Sequence, residues 1–227
     1  LAKKNNKLNN IMKLLRINIG CGMTPTKEWL NFDNSFSLKL SRFSFVIKLL
    51  FFFRLINDRQ KKYIEFCKKN KIMFANATKK IPVENGSVEI LYSSHMIEHI
   101  AKTQVNKFLQ EVHRVMHKNG VFRLILPDFD NQINHYSIHK NIDEFLIKSF
   151  LVPPPLDTFK AKLQILINGY RHHQWMYSKS SIKNVLELNN FKNIIFLKDS
   201  ETTLKNVNNL NLLERSEGSI ILECQKI

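Results

Sequence analysis

The segment Ile17-Asn18-Ile19-Gly20-Cys21-Gly22 constrains this chain more than any other. Leu14 to Ile19 is an apolar run with Arg16 and Asn18 between, the pattern of a buried strand, and it breaks at a Gly-x-Gly turn. The chain has only six glycines. Two of them this close mark a backbone that needs positive φ, or one against which a ligand must lie. Asp33 follows eleven residues after Gly22, at the end of a second short apolar stretch, Trp29-Leu30-Asn31-Phe32. A glycine turn after one strand and a carboxylate at the end of the next is how open α/β sheets hold a nucleoside, with the carboxylate on the ribose hydroxyls. A Gly-x-Gly turn also fits an ordinary loop, so the downstream order carries part of the argument.

That order is regular. Asn76-Ala77-Thr78 leads to the turn Ile81-Pro82-Val83-Glu84-Asn85-Gly86-Ser87, and the strand-like Val88 to Tyr92 ends in Ser93-Ser94-His95-Met96-Ile97-Glu98-His99. Val105, Phe108, Leu109, Val112, Val115 and Met116 recur at helical spacing between Thr103 and Lys118, and Asn119-Gly120 reads as a left-handed cap. Val121 to Leu126 is a strand stopped by Pro127-Asp128. Each polar cluster follows a strand's C-terminal end, the edge at which such sheets bind ligands.

With these segments in this order, the chain resembles a class I S-adenosylmethionine-dependent methyltransferase, of the small kind found among polysaccharide-biosynthesis genes. The resemblance continues in Glu111 to Gly120, in His173-Gln174-Trp175-Met176-Tyr177 and in Glu214-Arg215-Ser216-Glu217-Gly218-Ser219. It implies an α/β, Rossmann-like, mostly parallel seven-stranded sheet with helices on both faces and an inserted helical lid, closed by the antiparallel strands Asn193 to Leu197 and Ser219 to Gln225. It implies S-adenosyl-L-methionine as cofactor. Gly20, Cys21 and Gly22 would pass under its methionine part, Asp33 would accept from the ribose, and Asn76, Ala77 and Thr78 would border the adenine. Ser93, Ser94 and His95 would line the wall near the sulfonium, with His99 supporting that loop. Asn18 and Asn76 stand where relatives often carry acids, and ten residues between Gly22 and Asp33 leave room for one helical turn, around Thr24 to Glu28, with Trp29 filling the vacated space.

At 227 residues and 44% hydrophobic, the chain suits one α/β domain over 12–227, with a helical insertion at 34–73 and a substrate-side insertion at 129–176 broken by Pro153-Pro154-Pro155. Residues 1–11 read as a disordered basic tail, or as sequence upstream of a start at Met12. Cys21, Cys67 and Cys224 have no metal-like or redox spacing, which predicts a reduced, cytoplasmic setting. The net charge of +16 accompanies a wealth of lysine, asparagine and isoleucine, the bias of an AT-rich genome; an anionic membrane face or a nucleotide-linked sugar is the functional alternative. Aromatics do not interleave with the basic residues as single-strand binding requires, which argues against nucleic acid.

Residues 37–56 include ten large apolar side chains between Phe43 and Leu55, interrupted by Lys48 and Arg54, with Ser37, Ser41, Ser44 and Lys48 as one narrow polar stripe. Three readings stand: a lid over the site, an interfacial helix touching the inner membrane face, or a dimer surface, with the oligomeric state left open. His113/His117 and His135/His139 have helical spacing but no third ligand set, so no metal is expected. Transfer to a hydroxyl wants a base, and the strand-end candidates are His95 and His173, with Asp128 orienting base or acceptor. The resemblance implies O-methylation of a sugar or glycan intermediate. The rivals are an inert cofactor-binding scaffold that recruits partners to a membrane, and a basic RNA-binding module.

Overall fold

A computed structural model describes residues 14–41, 43–53, 56, 58–152, 157 and 172–227. The strands are β1 (Leu15–Ile19), β2 (Leu30–Asp33), β3 (Met73–Phe74), β4 (Val88–Ser94), β5 (Met116–Pro127), β6 (Phe191–Leu197) and β7 (Ser219–Lys226). They form one seven-stranded sheet in the order β3-β2-β1-β4-β5-β7-β6. Neighbours from β3 to β5 pair in parallel, and β7 runs antiparallel to both β5 and β6. The order reverses between β1 and β4, the switch point at which open sheets part their loops and admit a ligand.

Helices α1 (Phe36–Leu40), α2 (Ser44–Phe52) and α3 (Asp58–Lys69) make up the first insertion, α4 (Lys102–Val115) crosses from β4 to β5, and α5 (Phe129–His139) and α6 (Ile142–Ser149) open the second insertion. The last, α7 (Lys179–Leu188), starts at a capping box in which Ser178 and Ser181 satisfy each other's backbone N–H. One sheet face, with Ile17, Ile19, Leu91, Phe122 and Leu222, buries itself under Val105, Phe108, Leu109 and Val112 of α4 and Ile182 and Leu186 of α7. The alternate residues Ile90, Tyr92, Ile125 and Ile221 pack with Trp29 and Leu210. Trp29 is buried against this face, and its Nε1 donates to the Asn208 carbonyl at 2.9 Å.

Two local expectations fail. Thr24 to Glu28 is not helical, because two asparagines take its backbone groups. Asn18 Nδ2 donates to the Thr24 carbonyl, while Asn31 accepts from Thr26 N–H and donates to the Thr26 and Trp29 carbonyls. The second concerns Asn119-Gly120, which does not cap α4. That helix ends at Val115, Met116 is already paired with Val88, and the next ladder pair is Ile90 with Val121. His117 to Gly120 bulge between those pairs with Asn119 at φ 64°, and a Cβ on Gly120 would lie 2.9 Å from the carbonyls of His117 and Val88. The basic tail, Met12 and Pro153-Pro154-Pro155 lie outside the described residues.

Candidate active site

The turn after β1 is built for a ligand. Gly20 and Gly22 have φ of 74° and 51°. A Cβ on Gly20 would stand 2.6 Å from Met96 Cγ and Sδ, whereas one on Gly22 would meet nothing within 4 Å. The first glycine lets a side chain close in and the second faces open space. Asp33, at the end of β2, accepts from the Gly22 N–H at 3.0 Å through Oδ2 and from the Ser35 N–H at 2.7 Å through Oδ1. Each oxygen keeps a lone pair, so the carboxylate is fixed yet still able to accept from vicinal hydroxyls.

A cavity of about 710 Å³ opens over this turn, within the roughly 300–1,000 Å³ of small-molecule sites. Gly20, Gly22, Asp33, Asn76, Ala77, Thr78 and His95 line it, and so does His99, which the sequence places behind the loop. Cys21, Ser93 and Ser94 do not: they are buried at the strand ends, and burial pushes the Cys21 thiol up, out of the range of a nucleophile. Asn76 turns inward, its Oδ1 accepting from the N–H and hydroxyl of Thr78, so it shapes the 76–78 turn. This cradle fits S-adenosylmethionine: backbone without Cβ at one end, a pinned carboxylate beside it, and the 76–78 turn along the wall.

The cavity also reaches Phe150, Gln174 and Arg215, with Met96 against Gly20, and Tyr63 of α3 and Ser37 of α1 line it from the insertion. His95 sits here in left-handed backbone, φ 49°, immediately past β4, with its N–H on the Ile125 carbonyl at 2.9 Å. Such a conformation costs a non-glycine residue on the order of 1–3 kcal/mol and persists where the surroundings over-determine it. Its Nε2 lies 3.0 Å from Ser219 Oγ and 3.3 Å from the Arg215 carbonyl, and its Nδ1 lies 3.5 Å from Glu98 Oε1. Arg215 donates to the Ser94 carbonyl at 3.3 Å, and its neighbour Glu214 accepts from the Thr24 hydroxyl at 2.7 Å, so the 214–219 segment is tied to both strand-end loops.

Of the three expected catalytic residues only His95 lines the cavity. His173 is buried, its Nε2 3.9 Å from Glu98 Oε1. Asp128 caps α5, accepting from Asp130 N–H at 3.0 Å. Glu98, which sequence reasoning passed over, is fully buried on the 3-10 turn Ile97–His99. Its signal was present in the sequence, as a carboxylate three residues after one histidine and directly before another. Burial raises its pKa to about 8, against the partial relief of its own backbone N–H and the Arg215 charge. Burial likewise lowers His95 and His173 to about 4, helped by the Arg215 charge for His95 and by His99 for His173, and lowers His99. At neutral pH the three rings are neutral and the Glu98 carboxyl holds its proton. His113 and His117 are separated by the end of α4, and the rings of His135 and His139 stack on α5 at 4.3 Å.

A family model described as a methyltransferase domain matches residues 53–124, from the insertion through β4 and α4 into β5. No curated protein matches the chain. Among solved structures, it is similar to PigF with SAH at 12% identity and TM-score 0.48, covering 94% of this chain and 56% of that one. It is similar to a possible histamine N-methyltransferase from Thermotoga maritima at 12% identity and TM-score 0.47, covering 94% and 82%. A SAM-dependent methyltransferase from Methanosarcina mazei aligns at 13% identity and TM-score 0.48, covering 95% and 93%. The family match over residues 53–124, the sheet order with its antiparallel β7 and the glycine–carboxylate cradle are together those of a Rossmann-like methyltransferase fold with a place for S-adenosylmethionine.

Proposed function

We propose that the protein methylates a hydroxyl group of a sugar or glycan intermediate. The observation behind this reading is a neutral imidazole, His95, held in left-handed backbone on the wall of the cavity that Gly22 and Asp33 also line. When bound, S-adenosylmethionine supplies an electrophilic methyl group. The chain's share is to hold two reactants in line, worth on the order of 7–11 kcal/mol, and to take one proton. As the oxygen gains its methyl group the hydroxyl becomes strongly acidic. A ring with a conjugate acid near 4 is then basic enough, and it is already unprotonated at neutral pH. The acceptor hydroxyl competes with Ser219 for Nε2. Arg215, on the same wall, suits the phosphates of a nucleotide-linked sugar.

The inert-scaffold alternative rests on two departures that have a structural role of their own. Asn18 and Asn76, the departures that favoured it, each hold a loop of the cradle in place. Tyr63 and Ser37 on the cavity wall support the insertion as a lid. Its outer side, where Phe45 and Phe52 are 77% and 78% exposed, supports peripheral contact with an anionic membrane as a second role of the same element. Among the described residues no helix is long and apolar enough to cross a membrane.

The test is methyl transfer from S-adenosylmethionine to a panel of nucleotide-linked sugars, with His95→Ala beside the wild type. The reading predicts a methylated sugar, lost in the variant while cofactor affinity stays. Equal losses of turnover and affinity make His95 a binding residue, and the absence of product on every sugar removes the acceptor class.

A further inference from the structure

Behind the wall of the cavity, the Glu98 carboxyl group has no solvent exposure and no hydrogen-bond partner for either oxygen among the described residues. Histidines surround it instead. His99 Nε2 lies 3.8 Å and His173 Nε2 3.9 Å from Glu98 Oε1, and the three ligand atoms fall within 4.8 Å of one another. A tetrahedral zinc ion with bonds of about 2.0–2.2 Å sets its ligands about 3.3–3.6 Å apart, so closure asks each side chain to shift by about an ångström or less.

The surroundings are organised for such a centre. His99 Nδ1 lies 3.1 Å from the His172 carbonyl, which fixes the proton on Nδ1 and leaves the Nε2 lone pair aimed at Glu98. Ligating imidazoles are held this way, with the far nitrogen on a carbonyl. The segment bearing His173 is stitched to the turn bearing Glu98: Gln174 N–H donates to the Glu98 carbonyl at 2.7 Å, Trp175 N–H donates to it at 3.2 Å, and Gln174 Nε2 donates to the His99 carbonyl at 2.7 Å. Polar groups far apart in sequence are thus fixed by backbone contacts before any ion arrives. Among the described residues, no other set of histidine, cysteine and carboxylate side chains gathers three ligand atoms this closely.

We propose that Glu98, His99 and His173 form a divalent-metal site, with zinc the ion that best suits two imidazoles and one carboxylate. His99 also lines the cavity, so water or an acceptor hydroxyl could reach the ion from there as a fourth ligand. His95, whose Nδ1 is 3.5 Å from the same Glu98 oxygen, borders the site, and the Arg215 charge lies close enough to act on Glu98. His173, as a ligand, leaves the pool of free bases to His95. The site stands on its own residues, independent of the acceptor's identity.

The test is elemental analysis of the full chain purified without chelators, followed by zinc titration of metal-stripped protein against a competing chelator. The expected result is about one zinc per chain. Glu98→Gln and His173→Ala should bind it more than about 100-fold more weakly, since even outer-shell losses cost 10–100-fold, while His113→Ala binds it as the wild type does. Cobalt loaded into the wild-type chain gives a readout that needs no variant: intense visible bands signal four- or five-coordination. Wild-type zinc affinity equal to that of the two ligand variants, or cobalt with only the weak bands of a hexaaquo ion, overturns the proposal. Methyl-transfer activity enters neither measurement, so its failure and that of the site are told apart.

Discussion

The backbone N–H of Gly22 donates to Oδ2 of Asp33 at 3.0 Å, joining the turn after β1 to the end of β2. This bond shapes the cradle before a cofactor enters, and the two glycines of the turn contribute to it differently. Gly20→Ala forces a Cβ into Met96 and left-handed strain, so its melting temperature should fall by an amount equivalent to about 1–3 kcal/mol. Gly22→Ala meets no atom and carries only the left-handed strain of about 1–2 kcal/mol. Gly22 lines the cavity, so calorimetry should find cofactor affinity reduced beyond what the stability loss explains. Equal affinity in Gly22→Ala and wild type contradicts the cradle.

At His95 stability and turnover should part. Left-handed backbone disfavours any residue with a Cβ, so His95→Gly should be more stable than His95→Ala by about 1 kcal/mol in urea titrations. Both should lose methyl transfer by about 10²–10⁴. A glycine variant less stable than the alanine variant would mean that the loop relaxes without the imidazole.

Acid should unfold the chain through Glu223. Arg123, fully buried on β5, donates to Glu223 Oε1 at 2.6 Å across the β5–β7 ladder, and Thr202 and Thr203 donate to the same carboxylate. Burial acts to raise the Glu223 pKa, but these donors outweigh it and hold it below 4.5. A depressed folded pKa means stability present above the unfolded value and lost as pH falls through the folded one. Thermal denaturation should therefore show the melting temperature dropping below about pH 4.5, with Glu111, held down by Arg114, adding to the slope. Glu223→Gln should flatten that profile and cost about 3–5 kcal/mol at neutral pH, because it strands a buried guanidinium.

The outer side of α2 makes a separate prediction. Replacing Phe45 and Phe52 together by Ser should cut co-sedimentation with anionic liposomes by about tenfold or more and leave cofactor binding unchanged, since neither ring lines the cavity. Liposome binding that is absent in the wild type, or unchanged in the variant, leaves the insertion as a lid alone.

The parallel strands and the cradle were legible because they are written locally: apolar runs that end in Gly-x-Gly, in Asp33 and in Ser93-Ser94-His95. The errors arose where distant partners decide. Thr24 to Glu28 has helical length, but the amides of Asn18 and Asn31, set on neighbouring strands, claim its backbone groups. Asn119-Gly120 resembles a helix cap, yet Met116 pairs with Val88 and turns those residues into a bulge. Glu98 and His173 lie far apart in the chain, and the backbone bonds from Gln174 and Trp175 bring them together. Ser93 and Ser94 alternate in direction at the end of β4 and are both buried, because this central strand is covered on both faces.

The most direct test is the melting temperature of the wild type and of Asp33→Ala with S-adenosylhomocysteine, the demethylated product, at about 100 times its dissociation constant. Binding to the folded chain alone then adds about 2.7 kcal/mol, a rise of roughly 5–10 °C for a chain of this size. The account predicts that rise in the wild type and its near disappearance in Asp33→Ala at the same concentration. No rise in the wild type, or an equal rise in both proteins, would contradict it.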